Sequence, residues 1–186
     1  FTLRNPATPG SEQTIYLRVG PAPEQGRVTD VNVVVNSQNP KASIGVALNN
    51  RATKGLCLIE ITADKNTILF CLEGDKRRDI ATVPSLAKLD GSDRIKVVEL
   101  PGAARFIVNG KIIGDVTDSS AVGGDIGIMA YDVGTFGIAD FSINTDLAPR
   151  QGAPAQQGGG LPPRSGAGAP APQPVSYTHL TLPTKA

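Results

Sequence analysis

The chain has 186 residues, 40% of them hydrophobic, 19% charged and only 4% aromatic, with no Trp and a formal net charge of +1. That composition fits one soluble globular domain with some chain to spare, and it excludes collagen, wholesale disorder and coiled coil. No apolar run approaches the roughly 20 residues of a membrane-spanning helix, the charge balance lacks the basic footprint of a nucleic-acid binder, and a single His with two Cys leaves little material for nucleophilic catalysis or a zinc site.

The chain opens on Phe1 rather than Met, so either processing removed an N-terminus or the chain is a fragment, and fusion to a further N-terminal domain is expected. Short strands are then predicted in series. Residues 15–19 form the first. Residues 28–35 follow, with Val31, Val33 and Val35 on one face and Asp30 and Asn32 on the other. Residues 42–49 set Ile44, Val46 and Leu48 opposite Gly45 and Ala47. Residues 57–62 and 67–73 flank Ala63-Asp64-Lys65-Asn66, a four-residue hairpin connection. Lys76-Arg77-Arg78, with acids on both sides, reads as a solvated loop, and residues 79–83 as a short strand. Residues 85–89 could form one helical turn at most. Residues 94–100 and 104–108 flank Pro101-Gly102. Asn109-Gly110 then joins 106–108 to 111–116, a strong hairpin signal because both residues tolerate positive φ. Residues 125–131 and 136–143, bent at Gly134, complete the set.

About eleven strands with turns every eight to twelve residues predict an all-β, antiparallel two-sheet sandwich or barrel over residues 1–146. Cys57 and Cys71 face each other if residues 62 and 66 pair, and a cross-strand disulfide then becomes feasible. A one-residue slip puts them on opposite faces as two buried thiols. A disulfide would indicate an exported protein.

The character changes at the C-terminal end. Residues 149–174 hold seven Pro and six Gly in 26 residues, so the segment 147–174 is expected to be a disordered Pro/Gly/Ala-rich linker or tail. The last twelve residues, 175–186 (VSYTHLTLPTKA), resemble translated sequencing-adapter read-through and are expected to be non-native; the one His, His179, lies among them. Arg150, Arg164 and Lys185 are the three cations beyond residue 148, which leaves 15 of the 18 Lys and Arg against all 17 acids, a net of −2 for the body.

From residue 94 to 143 the pattern is specific. RIKVVEL (94–100), RFIVNG (105–110), KIIGDV (111–116), GGDIGIMAY (123–131) and GTFGIADFSI (134–143) together resemble the C-terminal half of concanavalin A-like lectin/glucanase jelly rolls, most of all the laminin-G-like and 3-keto-disaccharide-hydrolase-like branches. The resemblance implies a jelly-roll sandwich over roughly residues 28–143. That fold hosts lectins, hydrolases and plain interaction modules. A bacterial accessory module, periplasmic or secreted, is expected from it.

The residues left for chemistry are few. Retaining glycosidases need two carboxyls about 5 Å apart, which alternation along one strand supplies. No such motif is present: Glu73 and Asp75 are interrupted by Gly74, and Glu60 alternates with Thr62. The chain is therefore read as non-catalytic, with carbohydrate as the favoured ligand class, a protein-interaction or spacer module as the alternative, and a hydrolase with carboxylates brought together from distant strands as a third reading. Sugar sites stack an aromatic ring under a pyranose and grip its hydroxyls with polar side chains. Tyr131-Asp132, at a loop tip, is the candidate pair, against the plainer reading of a strand end and a turn cap. Asn49, Asn50 and Arg51 form a second candidate polar loop. The resemblance also implies a structural calcium ion, for which Asp140, the Asp of the "DF.i" strand, is the matching ligand.

Overall fold

The computed structural model describes residues 2–5, 10, 12–17, 22–84, 91–117 and 120–147. The expectations for the tail and for a helical turn over residues 85–89 lie outside them. Twelve strands run through the described residues: β1 Thr2–Asn5, β2 Glu12–Leu17, β3 Arg27–Asn36, β4 Ser43–Asn50, β5 Gly55–Thr62, β6 Asn66–Glu73, β7 Lys76–Pro84, β8 Asp93–Leu100, β9 Ala103–Val108, β10 Lys111–Thr117, β11 Asp125–Tyr131 and β12 Gly134–Asn144. They form two antiparallel six-stranded sheets, ordered β1-β12-β3-β8-β9-β10 and β2-β11-β4-β5-β6-β7. The result is a jelly-roll β-sandwich, without helix among the described residues. The chain crosses between sheets at β1–β2, β2–β3, β3–β4, β7–β8, β10–β11 and β11–β12, and meanders within one sheet over β4–β7 and β8–β10.

Alternation fixes which face looks inward. The core interleaves Val31 and Val33, Ile95 and Val97, and Ala104, Phe106 and Val108 from the first sheet with Ile44, Val46 and Leu48, Ile59 and Ile61, and Ile126 and Ile128 from the second. Most of these side chains have no exposed surface at all. Asn109 and Gly110 adopt φ of 50° and 81°, as the two-residue turn between β9 and β10 requires. Asn109 also accepts from the Arg94 amide at 2.8 Å and donates to Asp93 at 2.7 Å, which pins the turn to β8.

The structure departs from the sequence reading at three elements. β1 was not anticipated; its four residues carry too little pattern to stand out, and it exists by pairing along β12. Lys76-Arg77-Arg78 is strand rather than loop: the turn is only Gly74-Asp75, and β7 runs nine residues as an exposed edge strand. Edge strands carry charge to resist pairing with other chains, and a strand that keeps charges on its open side has no apolar signature to read. The 63–66 connection is one residue shorter than expected, because β6 begins at Asn66 and Lys65 takes the left-handed turn position at φ 67°.

Within the second sheet, β5 and β6 pair in the register that sets Cys57 against Cys71. The two are joined by a disulfide, fully buried in the core.

Candidate functional site

The outward face of the second sheet sets this chain apart from an ordinary solvated sheet. Residues inward on β4, β5, β6 and β11 fill the core, so their neighbours point the other way. Those neighbours are apolar and also withdrawn from solvent: Ala47, Leu58, Phe70 and Met129 form a second buried cluster, joined by the partly buried Leu56, Ile68 and Leu72. From β7, Arg77 lays its guanidinium over the Phe70 ring, 3.8 Å from the centroid, and pairs with Asp79 at 2.7 Å. The ring face and the carboxylate both hold the cation in place.

Glu60 lies in the middle of this surface. Its cross-strand neighbours are Gly45 on β4 and Ile68 on β6. Ser43 donates to Oε2 at 2.7 Å, and Oε1 has no donor among the described residues. Burial pushes the Glu60 carboxyl above the usual carboxylate range, against the opposing pull of the Ser43 hydroxyl and the Arg77 charge. A half-buried carboxylate on an apolar outer face is costly for folding alone, which is why such groups cluster at functional sites. Sequence reasoning set Glu60 aside for lacking an acidic neighbour along its strand. The available signal was a lone Glu in the apolar run LCLIEIT, on the face opposite Ile59 and Ile61.

Tyr131 joins the same surface. It pairs with Ser43 across the β11–β4 ladder, keeps 37% of its surface exposed, and stands one strand from the Ser43–Glu60 hydrogen bond. Asp132 follows it in the turn. Asp132 is 5% exposed, has φ 67°, and accepts from the Val133 amide at 2.7 Å. Its carboxylate serves the turn, as short acidic side chains do in left-handed positions.

Asn49 and Arg51 sit elsewhere. Asn49 pairs with Asp125 at the far end of the β4–β11 ladder from Ser43 and Tyr131. Six residues of strand, about 20 Å, separate the two ends. Arg51 approaches Asp125 at 3.4 Å. The two candidate loops are therefore two places on one sheet. Asp140 belongs to the other sheet. It is exposed at a bulge in β12 with φ 51°, and accepts from the Asn32 side-chain Nδ2 at 2.7 Å. Among the described residues no three His, Cys, Asp or Glu side chains converge on one point.

Solved structures share this architecture. The carbohydrate-binding module CBM66 from Bacillus subtilis superposes with a TM-score of 0.59 over 74% of this chain and 83% of that one, at 14% identity. The fold is that of a known jelly roll. A bifunctional GH43-CE protein from Bacteroides eggerthii matches with a TM-score of 0.55 at 15% identity, over 67% of this chain and 19% of its own length. The GH43 protein BlXynB from Bacillus licheniformis matches at 0.50 and 12% identity, over 64% of this chain and 27% of that one. No family model and no curated protein matches the sequence. At such identities the likeness concerns the path of the chain and not the residues of any site.

Proposed function

We propose that residues 1–146 form a non-catalytic glycan-binding module of a larger exported protein, with the outer face of the second sheet as its binding surface. The observation that carries this reading is Glu60: an acceptor whose Oε1 meets no donor among the described residues, hydrogen-bonded to Ser43 and near the exposed Tyr131, above the buried Leu58 and Met129 and beside the partly buried Ile68. Sugars present that combination in reverse, an apolar C–H face rimmed by hydroxyl donors. A fold shared with a carbohydrate-binding module supports the reading. Retaining hydrolysis is disfavoured because Gly45 and Ile68, not acids, flank Glu60 across the ladder. Export is supported by the buried disulfide, since such bonds form and persist in oxidising compartments.

A second reading has its own observation. The partly buried Leu56, Ile68 and Leu72 extend the apolar character of this face beyond what a sugar ring needs, and would equally suit a protein partner. A polysaccharide and glycan-array screen of the full chain, run in calcium and in EDTA, separates the two. Saturable glycan binding that weakens about tenfold in both Glu60→Gln and Tyr131→Ala supports the glycan module. A well-folded protein that binds no glycan leaves the protein-docking reading.

Glu60→Gln also has a signature in stability. An acid whose folded-state pKa is raised is held better with its proton on, so the fold loses stability as pH climbs through that value. The amide has no such loss. Glu60→Gln is therefore expected to gain stability relative to the parent as pH rises above the ordinary carboxylate range, while losing ligand. Urea midpoints across that rise test it; a variant that loses stability relative to the parent as pH rises would make Glu60 a structural residue instead.

A further inference from the structure

A shallow open depression of about 260 Å³ lies at the far end of the same sheet from Tyr131, among Asn49, Asn50, Arg51, Gly123, Gly124 and Asp125. Its floor is backbone. A Cβ on Gly124 would come within 2.4 Å of the Asn49 carbonyl oxygen, so no side chain fits there. The adjoining walls are fixed to each other: Thr53 donates to the Ser120 carbonyl at 2.6 Å, and the Asn50 side chain accepts from the Ala52 amide at 3.1 Å, which shapes the turn that carries Arg51.

Directly beneath the floor lies the most unusual feature of the molecule. Arg27 on β3 and Glu99 on β8 form an ion pair with 0% and 1% exposure. The pair reaches up to the two glycines. Glu99 Oε1 accepts from the Gly123 amide at 3.0 Å, and Arg27 Nη2 donates to the Gly124 carbonyl at 2.5 Å. A buried ion pair is weak evidence for stability, because apolar side chains of the same volume often do as well. Here both charged groups spend hydrogen bonds on the two residues that floor a surface depression. That is the arrangement expected of a support layer under a binding site.

The polar groups facing the depression are of mixed kind. Asp125 and Arg51, 25% and 53% exposed, stand 3.4 Å apart, so an acceptor and a donor lie side by side. The Asn49 amide, which can donate and accept, makes no side-chain hydrogen bond among the described residues. An anion entering here meets Asp125, and a cation meets Arg51. Vicinal hydroxyls, each both donor and acceptor, satisfy the whole set. We propose that this depression is a second binding site, for a neutral polyhydroxylated group: the terminal residue of a sugar chain or a free polyol. It stands on the ion-paired floor and the Asn49, Arg51 and Asp125 trio, and does not depend on ligand binding at Glu60.

The test is an NMR titration of the ¹⁵N-labelled full chain with glycerol, glucose, a neutral oligosaccharide and glucuronate. The expected result is saturable shifts of the Asn49 side-chain amide and of the Gly123 and Gly124 backbone amides with the neutral probes, and weaker ones with glucuronate. Tighter binding of the oligosaccharide than of glycerol assigns the chain end; equal binding assigns the free polyol. Asn49→Ala should weaken binding about tenfold while leaving shifts near Tyr131 in place. A double Arg27→Met/Glu99→Leu variant, which keeps the volume and removes the charges, should fold, move the Gly123 and Gly124 amides and lower affinity with Asn49 untouched. The proposal is overturned if no neutral probe gives saturable shifts at these three groups, if glucuronate binds more tightly than glucose, or if Asn49→Ala binds as the parent does. Shifts confined to the neighbourhood of Glu60 and Tyr131 would overturn it too, while leaving the sheet-face reading standing.

Discussion

Arg27→Met alone is expected to destabilise the fold by about 3–5 kcal/mol, the usual consequence of stripping one partner from a buried pair. Glu99 would then remain inside the sandwich as a carboxylate with 1% exposure, with the Gly123 amide still donating to it but without its counter-charge. Glu99→Leu alone should be similarly harmful, because it leaves the guanidinium buried without its counter-charge. The double Arg27→Met/Glu99→Leu variant should recover most of the loss, since neither charge is left uncompensated. Urea unfolding with unchanged m-values checks all three. Equal losses that simply add in the double variant would show that the two side chains act independently, and the ion pair would then be no unit. The large single effects and the near-neutral double are compatible with a positional role, because the pair links β3 and β8 of one sheet to the loop that leads into β11 of the other.

The phase of alternation in the sequence already placed this pair, although the reading above passed over it. Stepping back by two from Val33 and Val31 reaches Thr29 and then Arg27; stepping forward from Ile95 and Val97 reaches Glu99. The period of two that identified the strands thus aimed one Arg and one Glu inward from neighbouring strands. Strand existence, the two-sheet arrangement, the β9–β10 turn and the faces of β3 and β4 were legible for the same reason: apolar alternation and turn chemistry are local. β7 was not legible over Lys76–Arg78, because an edge strand carries charges on its open side and borrows its hydrogen bonds from β6. The candidate sites were legible only in fragments. Tyr131, Asn49 and Arg51 stand out as polar residues at loop ends, but which of them share a surface depends on pairing between strands far apart in sequence. That pairing separates Tyr131 from Asn49 by the length of β11 and brings Ser43 on β4 against Glu60 on β5. Asp132 offered two readings, ligand and turn cap, because turn aspartates and sugar-binding aspartates have the same local sequence; its burial is a feature of the folded chain that no local pattern carries.

Removing the disulfide by Cys57→Ala/Cys71→Ala is expected to lower stability by about 2–4 kcal/mol. The bond closes a loop of sequence separation 14, and a cross-link of that span limits the unfolded chain by roughly 3 kcal/mol in the chain-entropy model. The loss of two sulfurs from side chains with no exposed surface adds a small void between β5 and β6. Guanidinium unfolding of the parent and the double variant gives the difference directly. The position of the bond makes a second, kinetic expectation. Both sulfurs belong to residues sealed inside the core, so a reductant reaches them only when the sandwich opens. Reduction by dithiothreitol should therefore be slow in native buffer and accelerate with urea in step with the opening of the fold. Fast reduction without denaturant, or a double variant as stable as the parent, would show that the cross-link contributes nothing the β5–β6 ladder does not already supply. If both expectations hold, folding in a reducing compartment yields a measurably weaker domain, and the disulfide ties the stability of this sandwich to an oxidising location.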